Sequence, residues 1–138
     1  DSIQFIEGEL YINDLQVFKD LKIKNTNLYC GDTTIEVNLF EENLENGKKF
    51  LTAYSNNYSY QNSDRFIVPK DHYFFLGDNR DCSKDSRFLS SVGYVHKNNL
   101  VGKARFIFFS TDIRKGSIFE FWNYKEIIRF SRFFKKII

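Results

Sequence analysis

The stretch Tyr73-Phe74-Phe75-Leu76-Gly77-Asp78-Asn79-Arg80-Asp81-Cys82-Ser83-Lys84-Asp85-Ser86-Arg87 joins an apolar run to a densely charged one. Its first four residues read as a buried strand. The eleven after them carry three carboxylates and two arginines. Charges at the end of a core strand lose their solvation unless they pair. A guanidinium can meet a carboxylate through two parallel hydrogen bonds, which would lock such a loop in one shape. A locked polar loop at a strand end can form one wall of an active site. The same composition also suits a solvated surface turn, and composition alone leaves both readings open.

On the upstream side, short alternating runs are punctuated by turn residues. Ile3 and Phe5 alternate with polar neighbours, and Glu7-Gly8-Glu9 reads as a turn before Leu10-Tyr11-Ile12. Asn13-Asp14 makes a second turn, after which Leu15-Gln16-Val17-Phe18 completes a meander. Residues 19–33, rich in lysine and asparagine, read as loop. Thr34-Ile35-Glu36-Val37-Asn38-Leu39 and Phe50-Leu51-Thr52-Ala53-Tyr54 alternate cleanly on either side of Asn46-Gly47. That pattern predicts a hairpin with a connection longer than two residues. Residues 55–64 read as an exposed loop, and Phe66-Ile67-Val68 as a strand closed by Pro69. On the downstream side, Gly93-Tyr94-Val95 and residues 101–110 supply the last strands. The resulting fold class is mainly β, with antiparallel sheets and irregular loops.

The tail differs in kind. Lys125, Arg129, Arg132 and Lys136 recur at helical spacing, and Ile127, Phe130, Phe134 and Ile137 fall on the opposite face. The period predicts a basic amphipathic helix over residues 125–138. Such a helix packs on its own domain or lies on an anionic membrane surface, and the sequence leaves both open.

Bulk properties bound the rest. A chain of 138 residues suits one domain over 1–138, with sixteen phenylalanines to fill its core. A formal charge of +2 is nearly balanced and counts against a nucleic-acid partner. No apolar run approaches the roughly 20 residues of a membrane helix. The chain opens on Asp1-Ser2 without a basic leader, and it contains no methionine, so it reads as part of something longer. Cys30 and Cys82 match no metal-ligand spacing. They can form one intramolecular disulfide, and the sequence leaves open whether they do.

Several chemistries can be tested against the charged run. An EF-hand places oxygen ligands at its first, third and fifth positions and glycine at its sixth. Counting from Asp78 puts Arg80 third, and counting from Asp81 puts Ser86 sixth, so calcium is excluded and no cofactor is expected. A serine triad would need His72 or His96 as base, yet both stand in ordinary loop or strand-end contexts. A Ser83–Lys84 dyad fails as well, because adjacent side chains of an extended segment point to opposite faces.

The order of the residues is more informative than their types. Tyr73 to Asp81, then Ser83 and Asp85-Ser86-Arg87, closely resembles the signature box of bacterial type I signal peptidases. Val92-Gly93-Tyr94-Val95 and Asn99-Leu100-Val101-Gly102-Lys103-Ala104 resemble the segment after that box. Asp1-Ser2-Ile3 and Gly8-Glu9-Leu10-Tyr11-Ile12-Asn13 resemble the segment after the family's lysine box, with Asp1 as the last residue of a Gly-x-Pro-Gly-Asp run. The Leu44-Glu45-Asn46-Gly47 hairpin and the Phe66-Ile67-Val68-Pro69 lead-in also fit, less specifically. Cys82 stands where the family usually has Asn, and His96 where it has Pro.

The resemblance implies a membrane-anchored protease that removes signal peptides from secreted preproteins, using a serine nucleophile and a lysine base on a β scaffold. The lysine must be neutral to accept the serine's proton, so its pKa has to be lowered by apolar burial. The resemblance makes Ser83 the hydroxyl that orients this lysine. It makes Asp85 and Arg87 a bracing salt bridge, and Asp78 and Arg80 structural supports. By the same resemblance the nucleophile and base lie upstream of Asp1, so the chain is the carboxy-terminal part of a catalytic domain and inactive alone. The implied location is the bacterial inner membrane, with the catalytic domain on its outer, periplasmic face. The rival expectation is a non-catalytic module that binds peptides or proteins, derived from a truncated peptidase fold.

Overall fold

Strand β1 (Ser2–Ile6) alternates so that Ile3 and Phe5 point to one side, where both are buried. It pairs antiparallel with β2 (Glu9–Ile12), which in turn pairs with β3 (Leu15–Gln16). Both connections have two residues, Glu7-Gly8 and Asn13-Asp14, and all four have positive φ. This is the type I′ geometry whose twist matches that of the strands it joins. The expected meander is therefore present. This computed structural model of the chain describes residues 1–56, 60–112, 115–116, 122 and 124–137.

A second sheet is built from β4 (Phe18–Cys30), β5 (Thr33–Asn43) and β6 (Lys49–Ser55), in that order. The predicted hairpin is β5–β6, in register from Val37↔Ser55 to Asn43↔Lys49. Gly47, at φ 76°, closes its turn by donating from its N–H to the Leu44 carbonyl. Strand β4 corrects the expectation of a loop over 19–33. Two register shifts, between Leu21 and Ile23 and between Ile23 and Thr26, break its period-two pattern. It is also an edge strand largely exposed to solvent, where lysines are the usual guard against further pairing. Its turn, Gly31-Asp32 with Gly31 at φ 60°, is a two-residue hairpin loop that lysine-rich composition hid.

Strand β7 (Phe66–Ile67) joins the first sheet beside β1, giving the order β3-β2-β1-β7. Strands β8 (His72–Tyr73) and β9 (Val95–His96) form a two-stranded pair. Ile3, Phe5, Leu10, Val17 and Phe66 form the buried core, with Phe74, Leu76 and Tyr94 packed against it. Of the loop expected at 55–64, residues 57–59 lie outside the described residues. Tyr60 is half-buried and packs edge-on against Phe5, with ring centroids 5.7 Å apart, while Gln61, Asn62 and Asp64 are exposed as expected. Most of the chain's regular structure is antiparallel β.

The chain divides into two compact units, 1–100 and 101–138. In the second, residues 101–110 form no strand among the described residues. The segment makes isolated bridges instead, Phe106 with Lys136, and just beyond it Thr111 with Ile128. The tail is not the continuous helix its periodicity predicts. Helix α1 spans only Tyr124–Ile127, and a single 3-10 turn spans Phe130–Arg132. The reason lies in competing hydrogen bonds. Arg129 N–H donates to the Ser110 carbonyl, Phe134 N–H to Ile107 and Ile137 N–H to Arg105, so the backbone pairs across the unit rather than along a helix. Phe134, at φ 57°, marks the sharpest departure from helical geometry. No helix among the described residues is long and apolar enough to cross a membrane.

Candidate functional site

The charged stretch after Leu76 lies in the first unit and is fastened to β6 through its backbone. Ala53 N–H donates to the Asp78 carbonyl and Arg80 N–H to the Ala53 carbonyl, a parallel bridge centred on Asn79. Such bonding fixes the loop's height along the strand before any side chain acts. A side chain and a further backbone bond then add to it. Asp81 accepts from the Ser55 N–H at 2.7 Å, and Ser83 N–H donates to the Asn79 carbonyl at 2.9 Å.

Asp85, Ser86 and Arg87 are all buried. Arg87 grips Asp85 with two parallel bonds, Nε to Oδ1 and Nη2 to Oδ2, each 2.8 Å. The same Nη2 donates to the Arg80 carbonyl. Asp85 Oδ2 also accepts from the Gly77 N–H at 2.9 Å. Burial pushes the Asp85 carboxyl up, but Arg87 and the Gly77 N–H outweigh it and hold the group below the usual carboxylate range. Ser86 completes the clamp, its Oγ accepting from Phe75 N–H at 2.9 Å while its own N–H donates to the Phe75 carbonyl. Asp85 and Arg87 thus form a buried, bidentate ion pair.

Ser83 is half-buried and rests against Gly77. A Cβ placed on Gly77 would fall 1.9 Å from Ser83 Oγ and 2.2 Å from its Cβ, an impossible approach. Glycine at 77 is the seat of the Ser83 side chain. Asp78 is exposed, and its carboxylate accepts from the Asn79 N–H. Arg80 is buried at 6% exposure and does more than brace the loop from within it. Its Nη2 donates to Glu42 Oε2 at 2.6 Å and its Nη1 to the Tyr54 hydroxyl at 3.1 Å. The Tyr54 hydroxyl in turn donates to Glu42 Oε1 at 2.6 Å. Burial pushes the Tyr54 hydroxyl well above its ordinary range, so it stays a donor.

Sequence reasoning missed Glu42 and Tyr54. Glu41-Glu42 at a strand end reads as solvated. The only hint is phase, since Phe40, Glu42, Thr52 and Tyr54 share one face of the β5–β6 pair. Cys30 and Cys82 are joined in a disulfide that ties the end of β4 to the residue before Ser83. The two histidines face each other across β8–β9, and His72 Nδ1 donates to the Lys70 carbonyl. Beside the loop, Arg80, Asp78, His72 and Phe74 help to line an open, mostly apolar cavity of about 490 Å³. Among the described residues no three of His, Cys, Asp and Glu gather as a metal ion would require.

Comparison with known proteins identifies the family. Residues 1–109 match the model of the family described as signal peptidase, peptidase S26. Signal peptidase I of Rickettsia typhi is 36% identical over 99% of this chain and 55% of its own length. Its counterpart in Rickettsia prowazekii is also 36% identical with the same coverage, and that of Rickettsia conorii 39% over 82% of this chain and 43% of its own. The chain therefore spans about half the length of the curated relatives it matches. No solved structure matches. With the family model covering most of its length, the chain belongs to the signal peptidase family, peptidase S26.

Proposed function

We propose that this chain is the carboxy-terminal part of the catalytic domain of a type I signal peptidase, which removes signal peptides from secreted preproteins with a serine nucleophile and a lysine base. The observation that carries the reading is the Ser83 seat, a hydroxyl held against a glycine by a loop that is clamped at both ends. A neutral lysine needs both an apolar setting and a fixed hydrogen-bond partner, and Ser83 supplies the second. Asp85 and Arg87 act on Ser83 through Gly77 and the loop backbone. Asp78 and Arg80 hold the loop on β6. Neither the nucleophile nor the base is among residues 1–138, so the chain alone is inactive.

The disulfide supports a location outside the cytoplasm, where thiols are oxidised, in keeping with the outer face of the inner membrane. A membrane contact is supported by the second unit, where Phe108, Trp122 and Phe134 are each more than two-thirds exposed among several basic side chains. Aromatic and basic groups together favour an anionic lipid interface.

The test is a preprotein-cleavage assay on two proteins, the 138-residue chain and the full-length product of its gene. The full-length protein should cut and the chain alone should not. In the full-length protein, Ser83→Ala should lower turnover about tenfold, the worth of one orienting hydrogen bond. Turnover by the chain alone, or none by the full-length protein, would end the proposal.

A further inference from the structure

The charged loop is held from two sides, and one side lies far away in sequence. Glu42 sits on β5 with 2% of its surface exposed, and both its carboxylate oxygens are engaged. Arg80 satisfies one and the Tyr54 hydroxyl the other, while Arg80 also reaches Tyr54, which closes a three-membered ring of bonds. Tyr54 is fixed in its turn. Lys19 Nζ lies 4.4 Å from the centre of its ring and pairs with Glu9 at 2.9 Å, and the Phe40 ring meets it edge-on.

Two buried charges are costly, and a hydrophobic pair of equal volume is often as stable or more so. The Glu42–Arg80 pair is therefore better explained by what it orients than by what it stabilises. What it orients is the Arg80 main chain. The Arg80 carbonyl accepts from Arg87 Nη2, Arg87 chelates Asp85, Asp85 accepts from Gly77 N–H, and Gly77 seats Ser83. Each link is a hydrogen bond or a close contact, so a shift of the Arg80 backbone is passed on to Ser83.

We propose that Glu42, with Tyr54 as its partner, is a positioning residue for the loop that carries Ser83. Its catalytic consequence rests on the signal-peptidase reading given above; its effect on loop order does not. In the 138-residue chain, residue-resolved amide hydrogen exchange and thermal melting separate the two. Glu42→Gln keeps the shape and removes the charge. Where that variant fails to fold, the double variant Glu42→Met with Arg80→Met decides, because it leaves no buried charge unpaired. The expected result is a melting temperature at or above that of the parent for the double variant. The hydrogen-bonded amides of Gly77, Arg80, Ser83 and Ser86 should nevertheless exchange at least tenfold faster, with the β1–β2 amides unchanged.

Loop amides as protected as in the parent would overturn the proposal. In the full-length protein Glu42→Gln and Tyr54→Phe should lower kcat with KM unchanged, by about tenfold for the first. Unchanged kcat in both would overturn the positioning role, even with faster exchange. A full-length protein that cleaves nothing would defeat the signal-peptidase reading alone, and the exchange result would still decide whether Glu42 orders the loop.

Discussion

At the scale of single residues, Asp85 and Arg87 are tied to each other and to the loop backbone around them. The Asp85 carboxylate accepts from Arg87 three times, from Nε, Nη2 and the backbone N–H, and from Gly77 once, all within a buried setting. Asp85→Asn would leave the Arg87 guanidinium uncompensated in that setting and should destabilise the chain by about 3–5 kcal/mol in urea melts near neutral pH. The pH dependence is set by the sign of the shift. A carboxyl held below its unfolded value of about 3.9 binds fewer protons in the folded state. Its contribution is fully present above that value and is lost as pH falls through the lower, folded one. The stability gap between parent and Asp85→Asn should thus be flat from about pH 5 upward and narrow below about pH 4. A gap that stays constant into the acid range would mean that Asp85 is not the group that Arg87 holds ionised.

Elements show why some of the fold was readable and some was not. Strands β1, β2, β5 and β6 carry apolar residues at short intervals between strong turns, and that pattern marked them in the sequence. Strand β4 has the same conformation but loses its alternation at two register shifts, and at an edge its polar face carries no burial signal. The disulfide links that strand to the loop, joining residues 52 positions apart. Closing a loop of this length removes unfolded-state entropy worth about 4 kcal/mol in the chain-entropy model. Treatment with a dithiol reductant, or the double variant Cys30→Ser with Cys82→Ser, should lower the melting temperature by several degrees. The first-sheet core, which holds neither cysteine, should keep its near-ultraviolet signal below that transition. No change in melting on reduction would show that the bond closes a loop already held by β4–β5 pairing.

At the scale of the whole molecule the chain is two units of different character. The first carries the sheets, the core and the charged loop, and the second carries many exposed aromatics with basic neighbours. The amphipathic helix expected over 125–138 is replaced there by short turns, so any lipid contact is made by an irregular surface rather than a helical stripe. Sedimentation with anionic vesicles should pull down the intact chain, less well at high salt, because screening weakens basic contacts to lipid. Removing residues 125–138 should reduce the bound fraction several-fold. Equal binding with and without them would remove the tail from any membrane role.

By itself the sequence determined the family, through the order of residues from 73 to 104, and the β class, through alternation between turn residues. It also put Ser83, Asp85 and Arg87 forward as candidates for one site, because they stand close together on one charged loop. Only the tertiary structure decided what holds that site. Glu42 and Tyr54 come from strands β5 and β6, and Cys30 from the end of β4, all separated from the loop by 26 to 52 positions. Local pattern reports which residues share a face of one element. It carries no information on which faces meet, and the charged loop is bonded into place by such a meeting.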